Sequence, residues 1–402
     1  MRNYSVLRAL SMEGHEVTIL AFGDARGVTS ARRDLAGLCV DLDIINEVCR
    51  STYVEYAGRA LALRAGLPYG VWRLRSPMMR SAVSDRLAEQ RFDIILCDDI
   101  YQMENLPTLP RVPIVLNKHD ITYEIVERFL KRERNPLKLI YGWAEYRQLR
   151  RFESRSCGEV AAVWVCSERD RQLLARDNAS VPFMVVPNAV DVENYKPSDA
   201  DDGHSVLFVG AMDWLPNRDA VEFFVSEIMP ELRRLVPGVS FVVAGREPPE
   251  DFRRRFEYLR DVRFTGTLAD LRPLIAQAAV CTVPLRIGSG TRLKILEAAA
   301  MAKPVVSTTV GAEGLSFVDG KEIIIADEPR KFAHAIADLL GDRSRRLELG
   351  REAHRHVVAK YGIPALRLAV REALTLRGDH LSRPASGDKG SGIAVTARCL
   401  WS

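Results

Sequence analysis

The chain of 402 residues is too long for one ordinary core, and its 47% apolar and 27% charged residues give the profile of a globular protein of two domains. Its 57 Lys and Arg against 53 Asp and Glu leave a net charge of +4, which gives no electrostatic ground for a nucleic-acid partner. The seven cysteines (Cys39, Cys49, Cys97, Cys157, Cys166, Cys281, Cys399) form no C-x-x-C pair and are odd in number, so neither a zinc site nor a disulfide framework is indicated. No apolar run nears the ~20 residues that span a bilayer and the first residues lack a signal-peptide core, so a cytoplasmic, reducing location is expected.

Short β-branched and apolar runs alternate with longer helical patterns, the signature of βα repeats around parallel sheets. The first segment, Asn3–Met12, reads as a helix that leads through Glu13-Gly14-His15 into a strand at Glu16–Ala21. A doubly wound sheet usually begins on a strand, so a leading strand and its turn are expected to be missing. Asp41-Leu-Asp43 has the spacing of a D-x-D metal motif, but it runs into Ile44-Ile45 with no glycine turn beside it; a strand edge is the better reading, and no metal is predicted. Further strands are predicted at Phe92–Cys97, Pro113–Asn117, Val160–Cys166 and Phe183–Pro187, with His119 just past the C-terminal end of one of them.

Between Arg128 and Arg155 nine Lys and Arg stand against three Asp and Glu, with Phe129, Tyr141, Trp143, Tyr146 and Phe152 interleaved. Such a stretch can lie on an anionic membrane as an amphipathic helix, which would suit a lipid-linked acceptor; an ordinary solvated helix pair with its aromatics packed inward is preferred. Asn188, in Pro-Asn-Ala, has the character of a structural turn residue. The polar run Tyr195-Lys-Pro-Ser-Asp-Ala-Asp-Asp-Gly-His204 reads as a linker, which divides the chain into a first domain over 1–195, a linker over 196–204 and a second domain over 205–362. Strands of the second domain are predicted at Ser205–Gly210, Ser240–Ala244, Val262–Thr265, Ala279–Pro284, Pro304–Ser307 and Glu322–Ala326. A helix over 363–377 is expected to pack back toward the first domain, and the Ser/Gly-rich tail over 378–402 is expected to be disordered.

The most informative segment is Pro284-Leu-Arg-Ile-Gly288-Ser289-Gly290-Thr291-Arg292-Leu-Lys294-Ile-Leu-Glu297, a strand end, a glycine-rich turn and a helix start. Gly288 and Gly290 permit tight backbone whose amides converge on an anion at the helix N-terminus. Arg292 and Lys294 add positive charge suited to a diphosphate, and Glu297 shares the helix face of Lys294, where a carboxylate accepts hydrogen bonds from the vicinal hydroxyls of a ribose. The plainer alternative is a simple βα turn with a solvated Lys294–Glu297 pair.

This segment resembles the donor-site signature of family-4 retaining glycosyltransferases of GT-B fold, whose second half matches Glu297-Ala-Ala-Ala-Met-Ala-Lys-Pro304-Val-Val and continues to Gly311-Ala-Glu-Gly314. Gly14-His-Glu-Val-Thr, Val186-Pro-Asn188-Ala-Val-Asp191, the run Val209-Gly210 to Asn217, Ala244-Gly245-Arg246 and Val262-Arg-Phe-Thr265-Gly266 add weaker matches in the family's order. The resemblance implies two Rossmann-like α/β domains with parallel sheets facing across a cleft, and a hexosyltransferase acting with retention, without a metal and with no cofactor beyond its nucleotide diphosphate sugar. It implies that Arg292, Lys294, Arg246 and the amides near Gly288, Ser289, Gly290 and Thr291 stabilise the leaving diphosphate. Glu297 would hold the ribose, Gly210 would belong to the nucleotide-binding set, and Gly245, Thr265 and Gly266 would border the base. His119 matches the family's histidine near the transferring sugar, where a neutral imidazole hydrogen-bonds a hydroxyl; a capping or loop histidine is the alternative. The chain departs from the signature where the first glutamate falls on Ser289, and where the usual Arg and Lys after the first strand of the second domain fall on Ala211 and Pro216. The expected partners are a nucleotide-sugar donor and a hydroxyl acceptor in polysaccharide or glycolipid synthesis, with no nucleic acid. Two rival readings are a nucleotide-sugar epimerase on the same architecture and a non-catalytic nucleotide-sugar-binding remnant.

Overall fold

The computed structural model describes residues 2–23, 33, 35–46, 52–107, 112–246, 248–375 and 392–397. The chain divides into two units, Met1–Asn188 with Leu366–Ser402, and Ala189–Ala365. Each is built on its own parallel sheet.

In the first unit the strands are β1 (Glu16–Gly23), β2 (Asp41–Asn46), β3 (Ile94–Asp98), β4 (Ile114–Asn117), β5 (Ala162–Val165) and β6 (Phe183–Val185), joined by β13 (Gly392–Ala397) from far along the chain. Their order is β2-β1-β13-β3-β4-β5-β6, and every neighbouring pair is parallel. Strands covered on both faces read as continuous apolar runs, and Ile94–Asp98 and Ala162–Val165 are buried at every position. The core of this unit gathers Leu20, Ile95, Leu116 and Val163 under the long helix Pro136–Gly158, which contributes Leu149 and Phe152.

Three expectations change here. The strand expected to be missing ahead of the first helix is present in space, because β13 occupies the slot between β1 and β3. The tail expected to be disordered therefore holds a strand in which Ile393 to Ala397 are all buried. Six residues inside a Ser/Gly-rich stretch carry too little periodicity to declare themselves; only the open edges of β1 and β3 select them. The rest of that tail, with Cys49 and Cys399, lies outside the described residues. The stretch 196–204 is not a free linker. Ser198 N–H bonds the Met301 carbonyl at 3.2 Å, and Asp201 forms a buried pair with Arg346 at 2.9 Å, so it is part of the second unit. That unit already begins at Ala189, where Val190 N–H reaches the Tyr361 carbonyl at 2.9 Å. From Leu366 the helix Ile363–Thr375 belongs to the first unit, where Arg367 and Arg371 hold Glu13 at 2.9 and 2.7 Å.

The second unit contains β7 (Ser205–Val209), β8 (Ser240–Ala244), β9 (Val262–Phe264), β10 (Val280–Val283), β11 (Val305–Ser307) and β12 (Ile324–Ile325) in the order β12-β11-β10-β7-β8-β9. Every neighbouring pair is again parallel. The chain leaves β7 toward β8 on one side and returns to β10 on the other, so the crevice between the ends of β7 and β10 is the switch point at which such sheets bind ligands. Phe224 anchors the core, stacked on Phe241 with centroids 4.0 Å apart and edge-on to Phe332.

In the first unit a buried ion pair joins β4 to the long helix: Lys118 Nζ lies 2.7 Å from Glu153 and 3.2 Å from Asp99. Burial alone would lower the Lys118 pKa, but Asp99 and Glu153 hold it well above its ordinary value. Glu153→Ala leaves a buried ammonium with half of its compensation and is expected to destabilise the first unit by about 3 kcal/mol, read from the shift of its urea midpoint. A shift below about 1 kcal/mol would mean that Asp99 alone suffices.

Candidate functional site

The segments that follow β7, β8 and β10 meet in the second unit, and the loop after β9 lies next to β8. Gly210 ends β7 and Gly245 ends β8, and these two backbones touch. A Cβ on Gly245, whose φ is 141°, would lie 2.2 Å from the Gly210 carbonyl oxygen, and a Cβ on Gly210 would lie 2.8 Å from the Asn217 side chain. Glycine is therefore required at Gly245, and at Gly210 a side chain would displace Asn217. Past β9, the Thr265 hydroxyl donates to the Gly266 carbonyl at 3.0 Å, and Gly266 takes φ 70°.

After β10 the chain turns through Gly288 (φ 150°) and Gly290 (φ 70°) into the helix Leu293–Ala300. The Arg292 guanidinium folds back onto this turn, donating to the Ser289 carbonyl, to the Gly290 carbonyl at 2.5 Å and to the Val310 carbonyl at 3.3 Å. A Cβ on Gly288 would strike that guanidinium at 2.5 Å. Arg292 thus holds the loop in shape as well as charging it. Ser289 and Thr291 are both buried within the turn.

Lys294, in the first turn of the helix, crosses the switch point. Its Nζ donates to Asn217 Oδ1 at 2.9 Å and sits 4.1 Å from the centroid of the Phe208 ring, while Asn217 Nδ2 donates to the Ala211 carbonyl at 2.9 Å. The loop after β7 and the helix after β10 are joined by this one ammonium. Burial, with Arg292 nearby adding repulsion and Glu297 offsetting part of it, brings its pKa down to about 7. Glu297 is 6% exposed; burial raises its pKa, and the Tyr195 hydroxyl, donating to Oε1 at 3.3 Å, counters part of that rise. A cation poised to gain charge and a desolvated carboxylate, one helical turn apart, suit a ligand that carries both anionic and hydroxyl groups. Arg246 is exposed and pairs with Asp213 at 2.5 Å, so an incoming anion competes with that carboxylate.

In the first unit His119 lies just past β4, with Nε2 2.7 Å from Asp98 Oδ1. Burial opposes its protonation, but the charge and hydrogen bond of Asp98, aided by Asp99, raise its pKa above the ordinary value. Asp98 thus holds the ring in place through Nε2. Asp98 also accepts from Asn3 at 2.7 Å and from Asn117 at 3.0 Å, and Arg2 spans Asn117 Oδ1 (2.7 Å), the Val186 carbonyl (2.9 Å) and Asn188 Oδ1 (3.0 Å). Asn188 accordingly serves structure. Asp41 and Asp43 are engaged by Arg86 at 2.7 and 2.6 Å, which is a strand-edge arrangement.

Sequence reasoning missed Asn217, Tyr195, Phe208 and Asp98. Asn217 lay inside a quoted motif without a role, and Asp98 had a usable signal as an acid at the end of a predicted strand. Tyr195 and Phe208 carry no sequence signal, because only tertiary packing brings them to Glu297 and Lys294.

Two doubly wound units, one with a glycine turn and a lysine at its switch point, define a nucleotide-binding class of protein. The family described as Glycosyltransferase Family 4 matches residues 2–194, and that described as Glycosyl transferases group 1 matches residues 203–342. The chain belongs to the group 1, family-4 glycosyltransferases. It is 25% identical over 248 residues to the lipopolysaccharide core biosynthesis mannosyltransferase LpcC of Rhizobium leguminosarum bv. viciae, an alignment that covers 57% of this chain and 68% of that protein. It is also 25% identical over 178 residues to a phosphatidylinositol N-acetylglucosaminyltransferase component of Arabidopsis thaliana, covering 42% of this chain and only 39% of that relative's length. Among solved structures, the fold is similar to the Anabaena protein HepE in complex with UDP and glucose, with a TM-score of 0.65 at 13% identity, covering 92% of this chain and 95% of that one. The two α/β units with parallel sheets are those of the GT-B fold. No described helix is long and apolar enough to cross a membrane.

The ordinary lysine pKa is about 10.4. In the window from about 7 up to that value the unfolded chain holds a proton on Lys294 that the folded chain has released, so the contribution of Lys294 to stability rises with pH. Lys294→Met is therefore expected to stabilise the second unit at pH 7, by roughly 1–3 kcal/mol after allowance for the contacts it loses, and less at pH 10. Melts of both proteins at the two pH values check this, and an equal change at both would refute the depressed pKa.

Proposed function

We propose that the chain transfers a sugar from a nucleotide diphosphate sugar to a hydroxyl acceptor, in the synthesis of a surface polysaccharide or glycolipid. The observation that carries this reading is Lys294, held at the switch point by Asn217 with the buried Glu297 one turn beyond it. Family membership and the relatives named as mannosyl- and N-acetylglucosaminyltransferases support it and favour a hexose donor.

In this scheme the bond between the sugar C1 and the β-phosphate oxygen breaks while the acceptor oxygen takes C1, and the acceptor proton passes to the departing diphosphate. Lys294 and the backbone amides of the Gly288–Gly290 turn meet the charge that develops on the leaving group. Glu297 accepts from the ribose hydroxyls, with its orientation set by Tyr195. Gly210, Gly245, Thr265 and Gly266 line the nucleotide's path, Gly210 and Gly245 by letting the backbone come close. His119, held by Asp98, takes by the family resemblance the place of the histidine that hydrogen-bonds a sugar hydroxyl. Retention, hexosyl transfer and independence of metal follow the family resemblance. The non-catalytic reading has its own support: Ser289 replaces the signature glutamate, and both Arg246 and Arg292 already have protein partners.

Calorimetric titration with UDP, GDP and ADP tests the donor site. One of the three is expected to bind, and Glu297→Ala is expected to weaken it by about 1–3 kcal/mol, the cost of losing a hydrogen bond to a charged group. If none binds at millimolar concentration, the assignment fails. Binding without turnover over a panel of acceptors would leave the non-catalytic reading.

A peripheral membrane contact also belongs to this proposal. Tyr141 lies under Arg59, Tyr146 packs between Tyr123 and Trp143, and Phe152 is buried, so most aromatics of the basic stretch face protein. Leu137 and Ile140 remain 77% and 71% exposed near Arg134 and Lys138. Leu137→Asp with Ile140→Asp is expected to abolish sedimentation with vesicles of anionic phospholipid while leaving nucleotide affinity unchanged. Unaltered sedimentation would remove this face from consideration.

A further inference from the structure

The central strand of the first sheet arrives from the far end of the chain. β13 pairs with β1 from Glu16↔Gly392 to Ala21↔Ala397, and with β3 from Ile393↔Ile94 to Thr396↔Cys97. The last of these pairs lies one residue ahead of Asp98. Asp98 is the residue on which Asn3, Asn117 and His119 converge, at 2.7, 3.0 and 2.7 Å. β3 has only two neighbours, β13 and β4, and β4 itself carries Asn117. Where Asp98 points is thus set by a strand held on one side by β13.

β13 is held by pairing with both of its neighbours. Apart from Ile393 and Val395 its side chains are small, so its seat rests largely on backbone hydrogen bonding to both neighbours and on close fit. Fit is tight at its entry: the Asp93 N–H donates to the Gly392 carbonyl at 2.8 Å, and a Cβ on Gly392 would stand 2.9 Å from the Arg91 carbonyl oxygen. The sixteen residues 376–391 join it to the helix that ends at Thr375.

We propose that residues 392–397 act in cis as a docking strand, whose insertion between β1 and β3 brings the Asp98–Asn117–His119 cluster into its working arrangement, while the nucleotide site of the second unit forms without it. The first unit then has two states, slot filled and slot open, and only the filled state supports transfer. The activity consequence rests on the glycosyl-transfer reading above; the docking itself does not.

The experiment compares three proteins: the full chain, a chain ending at Ser391, and the full chain with Gly392→Val. A synthetic peptide of residues 388–402 is added to the truncated chain. Amide hydrogen exchange is followed on Glu16–Gly23 and Ile94–Asp98, nucleotide affinity by calorimetry, and transfer with the donor that the calorimetry names. Truncation and Gly392→Val are both expected to remove protection from β1 and β3. They should leave nucleotide affinity within about twofold and lower kcat on the order of 100-fold, as expected for a misplaced site. The peptide should restore protection and kcat saturably, and the same peptide with Gly392→Val should not.

Retained protection of β1 and β3 in the truncated chain overturns the proposal. So does loss of nucleotide affinity on truncation alone, because the second unit would then depend on the strand. Light scattering that shows the full chain to be a dimer, broken to monomers by the truncation, also overturns it in favour of strand exchange between copies. Where aggregation hides the truncated chain, a protease site inserted between Ser386 and Gly387 allows cutting after folding: the fragment is expected to co-elute with the body, and its separation with unchanged exchange in β1 and β3 counts against the proposal. If the full chain binds no nucleotide, the glycosyl-transfer reading fails, and hydrogen exchange alone decides the docking.

Discussion

In a parallel sheet an open interior slot is costly. β1 and β3 each present a row of backbone donors and acceptors toward the gap between them, and every such group needs a partner once it is out of water. The chain meets this demand with Gly392–Ala397, and the rest of the first unit follows from that choice. Arg2 and Asn3, at the start of the first helix, tie the ends of β3 and β4 together, and His119 receives a fixed carboxylate.

The second unit solves a different problem with similar means. Its sheet has the ordinary connectivity, and its demand is to bring charge to the switch point without losing the close approach of backbone. Gly210 and Gly245 provide the approach by having no side chain where the two loops touch. The charge comes as one lysine that leans on an aromatic face and an amide, and its desolvation keeps the proton loosely held. Arg292, the residue nearest the turn, is occupied with the turn's own carbonyls. The division of labour is thus between a cation that shapes the loop and a cation that faces the crevice.

Legibility from sequence followed local pattern. The strands from β3 to β12 and the helix after Gly290 show themselves by apolar runs between glycine and proline punctuation, most plainly where a strand such as β3, β5 or β10 is buried at every position. The turn at Gly288–Gly290 and the helix face shared by Lys294 and Glu297 were equally plain, since spacing along one helix needs no tertiary information. β13 stayed hidden because six residues in a polar tail have no period of their own, and what specifies them is a gap several hundred positions away. The partners that tune the site were hidden for the same reason: Phe208, Asn217 and Tyr195 approach Lys294 and Glu297 only when separate βα units close on one another. The charge state of His119 depends on Asp98, which lies 21 positions earlier on a neighbouring strand.

The place of β13 in the chain also sets an order of events during synthesis on the ribosome. The whole of Ala189–Ala365 is translated before Gly392 exists, so the later-encoded unit can mature while the earlier-encoded one still lacks the middle of its sheet. This reverses the usual N-terminal-first sequence of domain maturation. The nascent first unit is left with two unpaired strand edges through most of elongation, a state that invites pairing with neighbouring chains and that chaperones are suited to shield.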